Sequence, residues 1–275
     1  MRNNIMLPSS SSLFHYTKEK ETFEKILSNG LMYSESVEYC PNEIIATGLE
    51  YTNKSAFIVP MVCFCDIPIS RTIAHRNTYG NYAIGFDKEF LRNKLIRNLN
   101  PVNYVSSIDY ANNISFLRFN VELKIKAFLE GKYQTSYDED KKIIDKELSI
   151  INSFYSYFKP YRFYDEREWR AILPETEKWN NTLINWQNSN VDIQGVINAY
   201  RNIRKPTNIF ITLEKDELLR GISHIIIPKE SDKPYWIDYI LNENNTLIGC
   251  NSVPQNTRTI LIGNITSFER IEKDY

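Results

Sequence analysis

Apolar positions first gather at Leu13 and Phe14, and Leu13-Phe14-His15-Tyr16 predicts a short strand. Phe23, Ile26 and Leu27 then recur at helical spacing, with Glu19 and Glu21 in the first turn and Asn29-Gly30 as a stop signal. This predicts a helix that Thr17 would cap. Leu31-Met32-Tyr33 reads as another short strand. Ile58 to Phe64 reads as a strand interrupted by Pro60, which suits a sheet edge or a strand start better than a sheet centre. The stretch from Tyr79 to Phe86 predicts a turn at Gly80 feeding a strand, after which Asp87 caps a helix with Phe90, Leu91 and Leu95 on one face.

Two longer helical patterns follow. Leu117, Val121, Ile125 and Phe128 form one stripe, closed by Gly131; Ile144, Leu148, Ile151 and Tyr155 form the other, closed by Pro160. Together they predict a helical hairpin inserted over residues 114–158. Strand character returns from Tyr161 to Leu173 and again at Ile209 to Leu213, His224 to Ile227 and Thr259 to Ile262, with helices over 193–203 and from Tyr235 to Leu241. Strands at both ends with helices clustered between them predict an α+β fold over residues 13–275, preceded by a disordered lead-in over residues 1–12. No stretch is rich enough in Pro, Gly or Ser to act as a linker between domains.

With 275 residues, 42% of them apolar, the chain can bury a sizeable core, which excludes disorder and fibre. The formal net charge of −1 supplies no bulk attraction to nucleic acids or membranes, so such a partner would need a local patch. Four cysteines are too few for a disulfide scaffold, and Cys63-Phe64-Cys65 is spaced more tightly than a zinc pair, so these read as reduced core thiols with no metal. The opening residues hold no apolar stretch of secretory length. The longest apolar run, Phe57 to Cys65, is about half a membrane span, so the expected location is the cytoplasm.

Three segments carry candidate chemistry. In Tyr164 to Leu173, period-two alternation puts Glu166, Glu168 and Arg170 on a polar face and Arg167, Trp169, Ala171 and Leu173 on a buried one. Arg170 then lies about 7 Å along the strand from Glu168 and keeps that carboxylate ionised. The arrangement suits either a solvated strand face or an acid at an active site. His15, Tyr16 and Thr17 stand at a strand-to-helix junction, where a helix N-terminus favours anionic or hydroxyl-bearing ligands; a structural hydrogen bond is the plainer role for His15. His75, Tyr79 and Tyr82 surround Gly80 in what reads as a loop, where rings can stack on a flat ligand or simply join the core. Phosphate-loop, GxGxxG, GxSxG and HExxH motifs are absent.

The order of these pieces, a strand with His15, an aromatic loop at Tyr79 and a late strand with Glu168, resembles the His-Tyr-Glu branch of the ADP-ribosyltransferase superfamily. More specifically, LFHYT at 13–17, PMVCFCDIP at 60–68, YGNYAIGF at 79–86, Asn100-Pro101-Val102 and YDEREWR at 164–170 resemble the AbiGi family of abortive phage-infection proteins. The superfamily resemblance implies a split, mixed or antiparallel sheet, with NAD as substrate and ADP-ribose passed to a protein or nucleic-acid acceptor. It implies that His15 meets a ribose, Tyr79 stacks on nicotinamide, and Glu168 binds the 2′-hydroxyl of the nicotinamide ribose. A fixed carboxylate there would stabilise the oxocarbenium-like cation that forms as the glycosidic bond breaks. Glu166 would orient the acceptor, and Arg170 or Arg162 the pyrophosphate, with Tyr16, Thr17 and Tyr82 beside the cofactor. The family resemblance implies a second role, the antitoxin half of a two-gene phage-defence system, in which the chain binds a toxin and the same polar residues are structural.

Overall fold

The computed structural model describes residues 9–39, 55–71, 73–95, 98–105, 157–160, 165–173, 182–185, 209–211, 213 and 216–274. Among these, β1 (Ser12–Thr17), β2 (Ser34–Tyr39), β3 (Ser55–Cys65), β4 (Tyr82–Asp87) and β5 (Leu99–Pro101) belong to one sheet. A separate parallel ribbon pairs β6 (Asn103–Val105) with β7 (Phe158–Pro160). The main sheet is completed by β8 (Glu168–Ile172), β9 (Thr182–Asn185), β10 (Ile222–Ile227) and β11 (Ile265–Ser267), in the order β11-β10-β4-β1-β3-β8-β5. The β10–β11 pair is parallel and the remaining pairs of the sheet are antiparallel. The protein is therefore a mixed α and β fold on a mixed, mainly antiparallel sheet.

Alternation along the strands feeds two cores. One face of the sheet, through Leu13, Ile84, Phe86, Ile225 and Ile227, packs against Phe23, Ile26 and Leu27 of α1 (Lys20–Asn29). The same core takes in Leu91 of α3 (Lys88–Lys94), Trp236 and Ile240 of α5 (Lys233–Leu241) and Leu261 of α6 (Gln255–Gly263). The chain's other described helices are α2 (Ile73–Tyr79), α4 (Glu217–Arg220) and α7 (Phe268–Asp274). The opposite face of the sheet, through Phe14, Ala83 and Ile226, packs against Phe268 and Ile271 of α7.

Several expectations hold and several are corrected. Asp87 caps α3, its carboxylate accepting from the Phe90 N–H at 2.7 Å. Thr17 does not cap α1: it pairs with Tyr82 as the last residue of β1, and α1 begins at Lys20 without a side-chain cap. Gly80 has φ of +131°, and a Cβ there would lie 2.1 Å from the Thr17 carbonyl oxygen, so the turn needs glycine. His75 and Tyr79 lie on α2 and not in a loop. Residues 31–33 form no strand but one bridge, Met32 to Phe210. Thr259 to Ile262, expected as a strand, is helical, within α6, where Arg258 and Leu261 are buried three residues apart, a helical period. Of the expected lead-in, Ser9 and Ser10 hydrogen-bond Asp66 and Ser12 opens β1. The hairpin expected over 114–158 and the helix over 193–203 lie outside the described residues, apart from Tyr157, in a turn, and Phe158, which opens a strand.

Pro60 sits inside β3, a strand paired on both sides. The Pro60 carbonyl accepts from the Leu173 N–H at 3.0 Å, so its missing N–H faces the side where the neighbour changes from β9 to β8. The proline therefore falls where one partner strand gives way to the next, at the end of the β8 ladder, where a single missing N–H costs least.

The most consequential feature is a parting in the middle of the sheet. β1 pairs with β4 along all six of its residues but with β3 only through Phe14 and Cys65. Beyond that pair the two strands diverge, and a side chain bridges them: the His15 ring nitrogen Nδ1 lies 2.8 Å from the Cys63 carbonyl oxygen.

Trp236 is fully buried and meets Phe23 edge-on at 5.2 Å between ring centroids. Trp236→Ala should lower the unfolding free energy by about 3 to 5 kcal/mol in a urea titration. A loss below about 1 kcal/mol would mean that α5 is not part of the core.

Candidate functional site

A cavity of about 280 Å³ opens where β1 and β3 part. Phe14, His15 and Tyr16 of β1 form one wall and Cys63, Phe64 and Cys65 of β3 another, and Tyr79, Lys159, Glu166, Glu168 and Arg170 complete it with Ser36. Each group is delivered by local structure. α2 ends at Tyr79, so its ring stands beside the Gly80 turn, stacked on His75 at 5.6 Å. Arg167 has φ of +42°, which breaks the extended chain before β8, so Glu166 sits in the preceding turn rather than on the strand. Lys159 is carried in on β7 opposite Tyr104 of β6, and the Tyr104 hydroxyl accepts from the Glu168 N–H at 2.7 Å.

The charged groups are tightly matched. Arg170 donates from Nε to Glu168 Oε1 at 2.9 Å and from Nη2 to Oε2 at 3.3 Å. Lys159 Nζ lies 2.5 Å from Glu168 Oε2 and 2.8 Å from Glu166 Oε2. The Tyr79 hydroxyl donates to Glu166 Oε1 at 2.7 Å. Arg170 is 1% exposed and Glu168 7%. Burial works to raise the Glu168 pKa, but the charges of Arg170 and Lys159 and the hydrogen bonds it accepts outweigh burial and hold it below the ordinary value. Burial likewise works against the Lys159 ammonium, and Glu168 and Glu166 outweigh it, raising its pKa. Burial, with the nearby carboxylates of Glu168 and Glu166, pushes the Cys65 thiol well above its usual range, so it is no nucleophile at neutral pH.

His15 is the exception among these matched groups. A carbonyl oxygen only accepts, so the contact with Cys63 fixes the proton on Nδ1 and leaves Nε2 as an acceptor. Burial lowers the His15 pKa and keeps the ring neutral. Nε2 has no hydrogen-bond partner among the described residues, on a ring that lines the cavity.

Of the residues singled out from the sequence, His15, Tyr16, Tyr79, Glu166, Glu168 and Arg170 come together here. Thr17 and Tyr82 do not: they pair with each other at the end of β1, and Tyr82 packs with Phe23 and Trp236 in the main core. The expected solvated face of β8 is corrected, because Glu168 and Arg170 are both buried and Trp169 is the more exposed side chain. Alternating charges on a strand read as a wet face unless they pair, and here they pair. Arg162 lies outside the described residues. Sequence reasoning missed Lys159, since Phe158-Lys159-Pro160 looked like the tail of a helix, and it missed Tyr104 altogether. Among the described residues no group of three His, Cys, Asp or Glu side chains is arranged to hold a metal ion, and no helix is long and apolar enough to cross a membrane.

A family model described as "Putative abortive phage resistance protein AbiGi, antitoxin" matches residues 36–210, and the chain belongs to this AbiGi family of abortive phage resistance proteins. A relative named "Abortive phage resistance protein AbiGi", from Lactococcus lactis subsp. cremoris, is 21% identical over 271 residues, covering 88% of this chain and 97% of the relative. The matched segment holds the β3, Lys159 and Glu168 sides of the cavity, while His15 lies before it. No solved structure matches the chain.

The chain's three histidines, His15, His75 and His224, are all held below the ordinary imidazole value, in each case chiefly by burial, which in His75 outweighs the opposing pull of Glu166. Each stays neutral in the folded chain at pH values where the unfolded chain binds a proton. Stability should therefore decline as pH falls from about 6.5 towards the lowered folded values. Glu168, depressed when folded, stabilises above about pH 4.3 and loses that contribution as pH falls further, through its folded value. Urea midpoints at pH 8, 6 and 5 should fall in that order; an unchanged midpoint from pH 8 to 5 would contradict the burial of the histidines.

Proposed function

We propose that this chain serves phage defence as an antitoxin that acts by binding a partner toxin, with the cavity between β1 and β3 a structural ion cluster rather than a transferase centre. The observation that supports this reading is the engagement of Glu168: Arg170 and Lys159 occupy both of its oxygens. A transferase needs that carboxylate beside a cation developing on the sugar, and two fixed positive charges in the same place would raise the energy of that cation. Arg170, itself buried against Glu168, is no ready ligand for a pyrophosphate. The volume, about 280 Å³, is below the roughly 300 to 1,000 Å³ usual for ligand sites and is small for a dinucleotide. The description of the matching family as an antitoxin agrees with this role.

One observation favours a second reading, ADP-ribosyl transfer from NAD: His15, Tyr79 and Glu168, from distant parts of the chain, border one cavity. That chemistry requires Lys159 to withdraw from Glu168.

Incubation with labelled NAD separates the two. The parent, Glu168→Gln and Lys159→Met should all release no nicotinamide above background, while the parent and Tyr79→Phe equally relieve growth arrest when expressed with the partner toxin. Release by the parent that Glu168→Gln abolishes would overturn the antitoxin reading, and release that appears only in Lys159→Met would establish a latent transferase.

A further inference from the structure

A second cavity, of about 630 Å³, lies between the C-terminal end of α1, the start of α4 and residues 248–254, and it shares no described lining residue with the space between β1 and β3. Its volume falls inside the roughly 300 to 1,000 Å³ usual for ligand sites. Its wall is fixed by the fold around it. Leu247 and Cys250 exchange backbone hydrogen bonds around Ile248 and Gly249, which have φ of +49° and +78°. A positive φ is uncommon for a β-branched residue and persists only where the surroundings hold it. Here the turn donates the Ile248 N–H to the Leu27 carbonyl and the Gly249 N–H to the Ser28 carbonyl, each at 2.7 Å, so the cavity wall also caps α1. Arg258, 1% exposed, donates to the carbonyls of Ile240, Asn242, Asn245 and Val253, tying the chain from 242 to 253 to one buried guanidinium. A wall held in this way has little freedom left to lose when a ligand enters.

The lining sets the chemistry of that ligand. Ile211, Leu218 and Ile248 are buried apolar surfaces, with Phe210 and Leu213 beside them. The rim is polar, with Asn29, Asn251 and Ser252 exposed. Asp216 carries the only formal charge in the described lining, and the hydrogen bond from Arg220 holds its carboxyl below the ordinary value, so it is ionised at neutral pH. Arg220 reaches it at 2.7 Å from a side chain that is 68% exposed, and a pair so open to solvent is weak. The carboxylate has lone pairs for a second donor. Apolar depth beside one carboxylate, with no cation in the described lining, favours an apolar molecule with a positive head and disfavours an anion of the same shape.

We propose that this cavity binds a small amphiphilic amine, an aromatic or branched apolar group carrying a protonated primary amine, with its body against Ile211, Leu218 and Ile248 and its ammonium on Asp216. The proposal stands independently of the antitoxin reading, since it requires neither turnover nor a protein partner.

Titration calorimetry on the full chain with phenethylamine, tryptamine and isoamylamine, and with 3-phenylpropionate and indole-3-acetate as anionic counterparts, tests it. At least one amine should give saturable binding, with its anionic counterpart about tenfold weaker or more. Asp216→Asn keeps the side chain's shape and an acceptor oxygen but removes the charge. It should weaken amine binding by about fivefold or more. In the parent, the backbone amide resonances of Ile248, Gly249 and Asn251 should shift on saturation, a readout that locates the ligand and does not depend on the variant folding. Four results would overturn the proposal: no amine binding at millimolar concentration, anions binding as tightly as amines, Asp216→Asn binding the amine as tightly as the parent, or saturation that leaves those three resonances unmoved.

Discussion

The local architecture depends on where one backbone ladder stops. β1 is fully paired with β4 but shares a single pair with β3, and past Phe14 and Cys65 the two strands part. An interior parting leaves backbone polar groups to satisfy and a space to line. The chain meets the first demand at the Cys63 carbonyl, on which the His15 ring closes, and the second with side chains from β1, β3 and β8. The two cores on either side of the sheet hold β1 in place, through Leu13 on one face and Phe14 on the other, so the opening is held from both sides.

Into that opening the fold brings two carboxylates and two cations from two stretches of chain, 157–160 and 165–173. Lys159 arrives from the small β6–β7 ribbon, Arg170 from β8, and Glu166 from the turn created by the positive φ of Arg167. Burying any one of these charges alone would be costly, and together they are tolerated because each is hydrogen-bonded to its opposite. The same matching shapes the chemistry. A carboxylate gripped on both oxygens is a poor stabiliser for a developing sugar cation, whereas it is well suited to pinning the start of β8 against β3 beside the ribbon. Likeness of residues to an active site and possession of its electrostatics are thus separate questions in this protein.

Much of this was legible from residue patterns. The strand with His15, the Asp87 cap, the Gly80 turn and the proximity of Glu168 to Arg170 all follow from local rules. The environment of β8 did not, because alternation reports which residues share a face and says nothing about whether that face is wet. Lys159 was hidden for a different reason: its neighbours Phe158 and Pro160 fit the end of a helix as well as a short strand, and only tertiary pairing with Tyr104 decides between them. Pro60 misled in the opposite direction, since an interior strand accepts proline where its neighbours change over.

The central claim is that Glu168 is a buried counter-ion whose partners define its role. A double-mutant cycle on Glu168→Gln and Arg170→Met, read by urea unfolding at neutral pH, tests it most directly. The account predicts that the double variant is more stable than the sum of the single losses implies, by a coupling energy above about 1 kcal/mol, within the range known for residues in direct contact. Strict additivity, with each single change costing little, would show that the carboxylate is not held by its neighbours and would return Glu168 to the list of groups free to act on a substrate.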